Sequence, residues 1–493
     1  MLKINMIKRL LLLLLFFSCN ESEKKFDTRP NILFIMLDDL GKEWVSGYGA
    51  SDIKTPTIDK LMSTGLTFHN AYSMPQCTPT RVTLLTGQYP WRHGWINHFD
   101  VPRWGHGARF DPNLNPCFPK MLRNAGYATC AAGKWQINDF RLEPDAMVKA
   151  GFDEYCMWTG GEGGNIEVSQ HRYWNPYIHT KSGSRTYKNK FGEDIFTDFI
   201  IDFMKKNKDK PMMIYYPMCL PHGPLTSTPL EPNAPKSEQH KSMVRYTDYI
   251  LEKLVKALDK IGIRENTIII WTTDNGTSGN IVGHLNEKKV RGGKTMLTEN
   301  GVNAPFIINA PGLVPEGVIS KSLIDFSDLL PTFCDLAKIE PDNDFEYDGI
   351  SFAPEIIGKK NIKSRDWIMA LGSHPAKIID GKIKNAFNFR DRVIRDKNFK
   401  AYVDTLNQIY EIIELKSDFY EKNNLVNSER ENVVLAFKKF KKVLKKYPII
   451  DASPIYEKSE ESFHNIDSKE LLKMSDRGKL KVNKSQLLLN EIN

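Results

Sequence analysis

Cys77-Thr78-Pro79-Thr80-Arg81 is the stretch with the most chemistry in this chain. The cysteine stands just before a segment that reads as a helix start: Pro79 suits a first turn, and Val82, Leu84 and Leu85 supply apolar positions before Gly87 stops the run. A group at position 77 would meet free N–H groups at the positive end of a helix dipole, with Arg81 one turn further on the same face, an arrangement that holds an anion. Taken alone, the pattern reads first as a buried cysteine beside an ordinary cap. The other polar clusters have to decide.

Those clusters share one form, an apolar run that ends in functional groups. Asn31 to Leu37 ends in Asp38-Asp39, Tyr127 to Ala132 in Gly133-Lys134-Trp135-Gln136, and Met212 to Met218 leads to Pro221-His222-Gly223. Thr267 to Trp271 ends in Thr273-Asp274-Asn275-Gly276. Apolar runs of this length are strands buried on both faces of a parallel sheet, and segments such as Glu193 to Lys206 and Ser242 to Ile261 are long enough to be the helical crossovers. Parallel strands present their carboxyl ends on one edge, so Asp38, Asp39, Lys134, His222, Asp274 and Asn275 are expected on one rim. A single polar residue after a strand is a turn residue. A rim with acids, an amide, a lysine and a histidine is harder to explain that way.

Carboxylates and an amide, with no cysteine or histidine cluster beside them, suit a hard divalent cation, calcium first and magnesium second. The chain contains no Asp-His pair of the kind a two-zinc site would use. Arg291-Gly292-Gly293-Lys294 follows, where glycines would let the backbone approach a ligand and Lys294 would aim a cation at it; a solvated lysine in a loop is the plain alternative.

With these residues assembled, the chain resembles the formylglycine-dependent sulfatases of the alkaline-phosphatase-like superfamily, from about Arg29 to about Val426. The segments that carry the resemblance are PNILFIMLDDLG, CTPTRVTLLTGQYPWRHG, GYATCAAGKWQ, LPHGPL, TTDNG, RGGKTMLTENG, DLLPTFCDLAKI and VIRDKNFKAYVD with EIIELKSDFYEKNNL. The resemblance implies an α/β fold, a large mostly parallel sheet flanked by helices, with a smaller C-terminal α+β subdomain. It implies that a maturation enzyme oxidises Cys77 to formylglycine (3-oxoalanine) and that Asp38, Asp39, Asp274 and Asn275 hold calcium together with residue 77. It further implies that Arg81, Lys134 and Lys294 stabilise diol and sulfate oxygens and that His222 protonates the leaving alcohol. The activity implied is hydrolysis of a sulfate ester. This chain has Gln136 where the family commonly has a histidine, and an amide cannot shuttle a proton. Asn303 stands where an arginine often follows the Glu-x-Gly turn. Two other readings stay open: a formylglycine-dependent phosphonate or phosphodiester hydrolase, and a catalytically weakened sugar-binding surface lipoprotein.

Length and composition frame the rest. The 493 residues exceed one ordinary core, so a large domain with an appendage is expected, divided as 29–346 and 347–452 with a charged tail at 453–493. Residues 1–19 read as an export signal: Lys3, Lys8 and Arg9 precede an apolar run, Leu10 to Phe17, too short to span a bilayer. The Ser18-Cys19 step resembles a bacterial lipoprotein processing site, with Cys19 lipidated and 20–28 as tether, which implies a periplasmic or cell-surface protein anchored by lipid. The net charge of +8 is spread over a large chain, and no nucleic-acid partner is expected. Cysteines 19, 77, 117, 130, 156, 219 and 334 include no C-x-x-C spacing, so no particular disulfide is expected, and Cys130 and Cys219 read as small core residues.

Specificity is expected from the loops Asn97 to Phe110 and Trp158 to Trp174, rich in aromatic, histidine, arginine and glycine residues suited to an anionic saccharide. The candidates there are His98, Arg103, Trp104, His106, His171 and Arg172. Near the C-terminus, strand-like pieces at Asp391 to Val403 and Gln408 to Leu415 precede a helix from about Glu429 to Tyr447. Its stripe of Val433, Phe437, Phe440 and Leu444 faces a core, and its lysines read as a solvated face.

Overall fold

A computed structural model describes residues 29–96, 109–138, 140, 143–158, 172–359, 364–373, 376–379, 382–385 and 387–455. Cys19 and its signal, the loop candidates His98, Arg103, Trp104, His106 and His171, and the tail beyond 455 lie outside the described residues.

The continuous apolar run Asn31–Leu37 forms β1, and every residue in it is buried. Alternation sorts it onto two faces: Ile32, Phe34 and Met36 enter one core, while Leu33, Ile35 and Leu37 enter the other. Strands β2 (Leu66–Tyr72), β3 (Ala128–Lys134), β4 (Glu154–Trp158), β5 (Tyr177–Thr180), β6 (Gly183–Thr186), β7 (Met212–Pro217) and β8 (Thr267–Thr273) follow in the chain. After the hairpin of β9 (Val282–Leu285) and β10 (Lys288–Arg291) come β11 (Asn303–Asn309), β12 (Val318–Ser320) and β13 (Ile324–Asp325). Apart from the hairpin these make one 11-stranded sheet, ordered β12-β2-β11-β8-β1-β7-β3-β4-β5-β6 with β13 beside β2.

β1 pairs in parallel with β7 and β8, and β3 in parallel with β7 and β4. Their carboxyl ends therefore share one rim, the geometry expected from the apolar runs. β11 runs antiparallel to both β8 and β2, so the sheet is mixed at that side.

Helices cover both faces. Gly192–Asn207 and Gln239–Ile261 bury Phe196, Ile200, Phe203, Ile250, Leu254 and Leu258 against the Leu33–Ile35–Leu37 face. Cys77–Thr86 and Leu329–Leu336 lie on the other, with Val82, Leu84, Leu85, Leu330 and Phe333 in that core. Each such side chain contributes about 1.5–3 kcal/mol on burial, which makes this central slab a stiff mount for whatever its rim carries.

The sequence reading placed Cys77 just ahead of its helix; it is the first helical residue, after Gln76 in extended conformation. Every residue of that helix is buried, its apolar side chains packed between the main sheet and the Leu329–Leu336 helix.

A smaller antiparallel sheet follows, from β14 (Ile368–Leu371), a separate hairpin of β15 (Ala376–Ile379) and β16 (Lys382–Asn385), then β17 (Arg392–Arg395), β18 (Phe399–Val403) and β19 (Ile409–Glu414), in the order β14-β17-β18-β19. The helix Glu431–Leu444 lays Val433, Ala436, Phe440, Val443 and Leu444 on it, and Phe437 packs half-buried at the edge. This third core also takes in Tyr72, Met74, Leu297 and Val302, so the small sheet supports the back of the Lys294 loop. Most of the helix lysines are exposed, as expected, but Lys439 donates to the Asp366 carbonyl at 2.8 Å and pairs with Asp396 at 3.0 Å. All described cysteines, 77, 117, 130, 156, 219 and 334, are buried and free.

Candidate active site

Four strand ends and one helix start deliver the site. β1 ends at Leu37, and Asp38 and Asp39 follow, both buried. Asp39 adopts φ 68, a left-handed conformation that an Asp tolerates better than most residues, and its N–H donates to Asp274 Oδ1 at 3.2 Å. The next N–H groups are also spoken for, Leu40 by Thr273 Oγ1 at 3.2 Å and Gly41 by Thr277 Oγ1 at 2.8 Å. The loops after β1 and β8 are thus laced together, which fixes three carboxylates against one another. Lys134 is the last residue of β3. Gly133 before it has φ 117 and passes so close to β7 that a Cβ would sit 2.1 Å from the Pro217 carbonyl oxygen, so only glycine lets β3 bring the lysine in here.

The ion pairs are specific. Lys134 Nζ lies 2.6 Å from Asp38 Oδ2, Lys294 Nζ 2.7 Å from Asp39 Oδ2, and an Arg81 NH group 2.7 Å from Asp274 Oδ2. Arg81 also donates to the Lys134 carbonyl at 3.1 Å and approaches Asp38 Oδ1 at 3.9 Å. Asn275 donates to Asp39 Oδ1 at 2.8 Å. His222 Nδ1 is 2.5 Å from the Gly223 carbonyl, which places the ring proton on that nitrogen and leaves Nε2 facing Asp39 Oδ2 at 3.5 Å. Cys77 stands among these groups: ligand atoms of Asp38, Asp39 and Cys77 all lie within 4.8 Å of one another. Thr80 clamps the Cys77 turn to the rim, its Oγ1 accepting from the Met74 N–H at 3.1 Å and lying 2.8 Å from the Asp274 carbonyl oxygen.

Burial raises the cost of these charges, and their neighbours decide each outcome. For Asp38 burial is outweighed by Lys134, His222, Arg81 and Lys294, which hold its carboxyl well below the usual carboxylate range. Asp39 is lowered as well, by Lys294 and His222 against burial. Asp274 goes the other way: burial and the charge of Asp38 push it up to about 7 despite Arg81 and Lys134. Burial brings His222 down to about 3 against the pull of Asp38 and Asp39. Three acids this close stay buried only because Lys134, Lys294 and Arg81 each stand against one of them.

The donor set fits a hard divalent cation. Asp38 Oδ1 and Asn275 Oδ1 are buried oxygens without a hydrogen-bond donor among the described residues, a condition that costs free energy unless something electropositive meets them. All the candidate ligands other than residue 77 are oxygen donors, and the histidine nearest them is a single one.

Gln136 is buried in a left-handed backbone conformation, φ 66, with Oε1 lacking a donor among the described residues. Asn303 is tied into structure: it accepts from Lys42 Nζ at 2.7 Å and donates to Glu299 Oε2 at 3.0 Å. Arg172, the one loop candidate within the described residues, reaches the rim, 3.6 Å from Asp38 Oδ2. Sequence reasoning missed Tyr215 and Tyr173. Tyr215 lies against Arg81 and is a strand residue inside an apolar run, which gives no local sign of a polar role. The Tyr173 hydroxyl reaches the carbonyl oxygens of Cys219 at 2.7 Å and His222 at 2.5 Å, bracing the His222 turn.

A mostly parallel sheet whose rim surrounds a helix-start cysteine with acids, lysines and arginines is the alkaline-phosphatase-like fold with a polar site at its strand ends. Residues 30–339 match the family model described as Sulfatase, and the chain belongs to the sulfatase family. It is 27% identical over 358 residues to an N-acetylgalactosamine-6-sulfatase of Canis lupus familiaris, covering 67% of this chain and 66% of that protein. The match thus spans just under two thirds of that curated relative's length. The ulvan-active sulfatase of Formosa agariphila is 26% identical over 460 residues, covering 86% of this chain and 84% of that one. Among solved structures, Ps i-CgsB superposes with a TM-score of 0.71 at 26% identity, covering 93% of this chain and 99% of that one.

Proposed function

We propose that this protein hydrolyses a sulfate ester on a saccharide, using residue 77 matured from cysteine to formylglycine with a divalent cation, calcium first, beside it. The observation that carries the reading is the set of cations around Cys77: Arg81, Lys134 and Lys294, each within 2.7 Å of its own rim carboxylate. The saccharide follows from the relatives, one named for N-acetylgalactosamine 6-sulfate and another for ulvan.

A formylglycine at 77 would supply, as its hydrate, an oxygen nucleophile in place of sulfur. The ion would be held by Asp38, Asp39, Asp274 and Asn275 together with residue 77, and when bound it would acidify a ligating hydroxyl and balance anionic oxygens. Lys134 and Lys294 would meet the non-bridging oxygens of the ester, and Arg81, rooted on Asp274, would orient residue 77. His222 presents Nε2 to the ligand side. It is neutral when the site is empty of substrate, and an anionic ester would raise its proton affinity so that it could hand a proton to the departing alcohol. Gln136 would accept a hydrogen bond through Oε1 without moving a proton.

Export and lipid anchoring at Cys19 belong to the same proposal. Among the described residues no helix is long and apolar enough to cross a membrane. One experiment reads both modifications. Protein co-produced with a formylglycine-generating enzyme in a lipoprotein-processing host should show, by mass spectrometry, an aldehyde at residue 77 and an acylated N-terminal Cys19. The same sample should release sulfate from sulfated saccharides far faster than it cleaves phosphodiesters. An unmodified thiol in a fully active sample, or a preference for phosphorus by orders of magnitude, would overturn the reading.

Metal removal gives a separate check. Dialysis against EDTA is expected to lower the melting temperature and calcium to restore it, by about 2.7 kcal/mol at a hundredfold excess over Kd. Identical melting curves with and without the ion would remove the metal from the proposal.

A further inference from the structure

The chain entering β5 brings a charge to the rim that the chemistry above does not employ. Arg172 NH1 lies 3.6 Å from Asp38 Oδ2, the same oxygen that Lys134 holds at 2.6 Å, and this is too far for a hydrogen bond. Its Nε and NH1 are buried with no acceptor among the described residues. The guanidinium lies over the Trp158 ring at 4.3 Å, and burial, which works against its charge, is outweighed by Tyr173 and Asp38.

The backbone at this point is fixed. Gly192 approaches so closely that a Cβ there would sit 2.4 Å from the Arg172 carbonyl oxygen, and the Gly192 N–H donates to Tyr173 at 2.7 Å. Tyr173 in turn reaches the His222 carbonyl. Arg172 is therefore mounted on the His222 side of the rim with two of its donor nitrogens, Nε and NH1, buried and unsatisfied among the described residues. That is an incomplete binding site, because buried N–H donors without acceptors lose their hydration and gain little in return.

Charge points the same way. Asp38, Asp39 and Asp274 already have Arg81, Lys134 and Lys294 as partners, and Arg172 is a cation beyond that pairing. On the proposed function, on which this inference rests, the His222 side is where the departing sugar lies, so what Arg172 meets is the saccharide and not the scissile sulfate.

We propose that Arg172 is a specificity-determining residue that binds a second anionic group, a sulfate ester or a carboxylate, on the saccharide whose scissile sulfate sits at residue 77. The guanidinium fork matches either group in a bidentate manner.

Binding can be measured without turnover, using the Cys77→Ala protein and isothermal titration. The ligands are monosulfated N-acetylgalactosamine, its disulfated form, and the monosulfated sugar linked to glucuronic acid. At least one dianionic ligand should bind about 10-fold tighter than the monosulfated sugar, and which one does so tells sulfate from carboxylate. Arg172→Met should bring that ratio below about 3-fold, and Arg172→Lys should keep part of it. Equal affinities for all three ligands, or an Arg172→Met variant that weakens each by the same factor, would overturn the assignment. Sulfate release by the mature wild-type protein reports separately on the proposed function, so a failure there is not mistaken for a failure of Arg172.

Discussion

Replacing Cys77 with alanine is expected to abolish sulfate release while leaving the fold in place. The side chain is 2% exposed at the first position of the Cys77–Thr86 helix. The ion pairs of the rim run directly between Asp38 and Lys134, Asp39 and Lys294, and Asp274 and Arg81, so removing the sulfur breaks none of them. The structural loss is one buried atom, on the order of 1 kcal/mol. The chemical loss is the nucleophile itself, which on the proposed mechanism is worth a factor on the order of 10^4 or more in kcat/KM. Thermal melting and sulfate release on one preparation check both halves. Turnover within tenfold of wild type would place the nucleophile elsewhere.

Arg81→Leu should damage stability and activity together. Arg81 is 1% exposed and has Asp274 at 2.7 Å, the Lys134 carbonyl at 3.1 Å and Asp38 at 3.9 Å. Leucine fills much of the volume but leaves Asp274 buried beside Asp38 with less positive charge near it. Breaking a buried pair by removing one partner costs about 3–5 kcal/mol. Burial and the charge of Asp38 already raise Asp274 to about 7 against the opposing charges of Arg81 and Lys134, so loss of Arg81 drives that acid further toward the neutral form and weakens any cation site built on it. The kcat/KM is expected to fall by on the order of 10^3. Arg81→Lys keeps the charge without the planar fork that spans Asp274 and the Lys134 carbonyl, so it should recover part of the melting temperature and little of the activity. A leucine variant that melts like wild type would show that the pair contributes nothing net to the fold.

How far the sequence could be read depends on the kind of signal each feature leaves. β1, β7 and β8 were legible because a strand buried on both faces must be a continuous apolar run. β2 was not, since LTFHNAY is interrupted midway by His69 and Asn70, which are not buried although the strand lies inside the sheet. The crossover helices Gly192–Asn207 and Gln239–Ile261 were found within a few residues of their ends, where capping and not periodicity sets the boundary. Tyr215 looked like core and lies against Arg81. Lys439 looked like one more solvated lysine and ties its helix to Asp366 and Asp396.

The sequence by itself determined that Asp38, Asp39, Lys134, His222, Asp274 and Asn275 would share a rim, because parallel strands leave all their carboxyl ends on one edge whatever their order. It also determined that a helix would start beside Cys77 with Arg81 on its first turn, though not that Cys77 is itself the first helical residue. Only the tertiary structure decided the pairings. Lys134 chooses Asp38 across 96 residues, Arg81 chooses Asp274 across 193, and Lys294 chooses Asp39 across 255. No local pattern encodes such choices; they follow from the strand order β8-β1-β7-β3 and from the turns that aim each side chain. Arg172 shows the same limit. In the sequence it was one candidate among several loop residues, and it is the packing of Gly192 and Tyr173 around it that turns its charge toward Asp38.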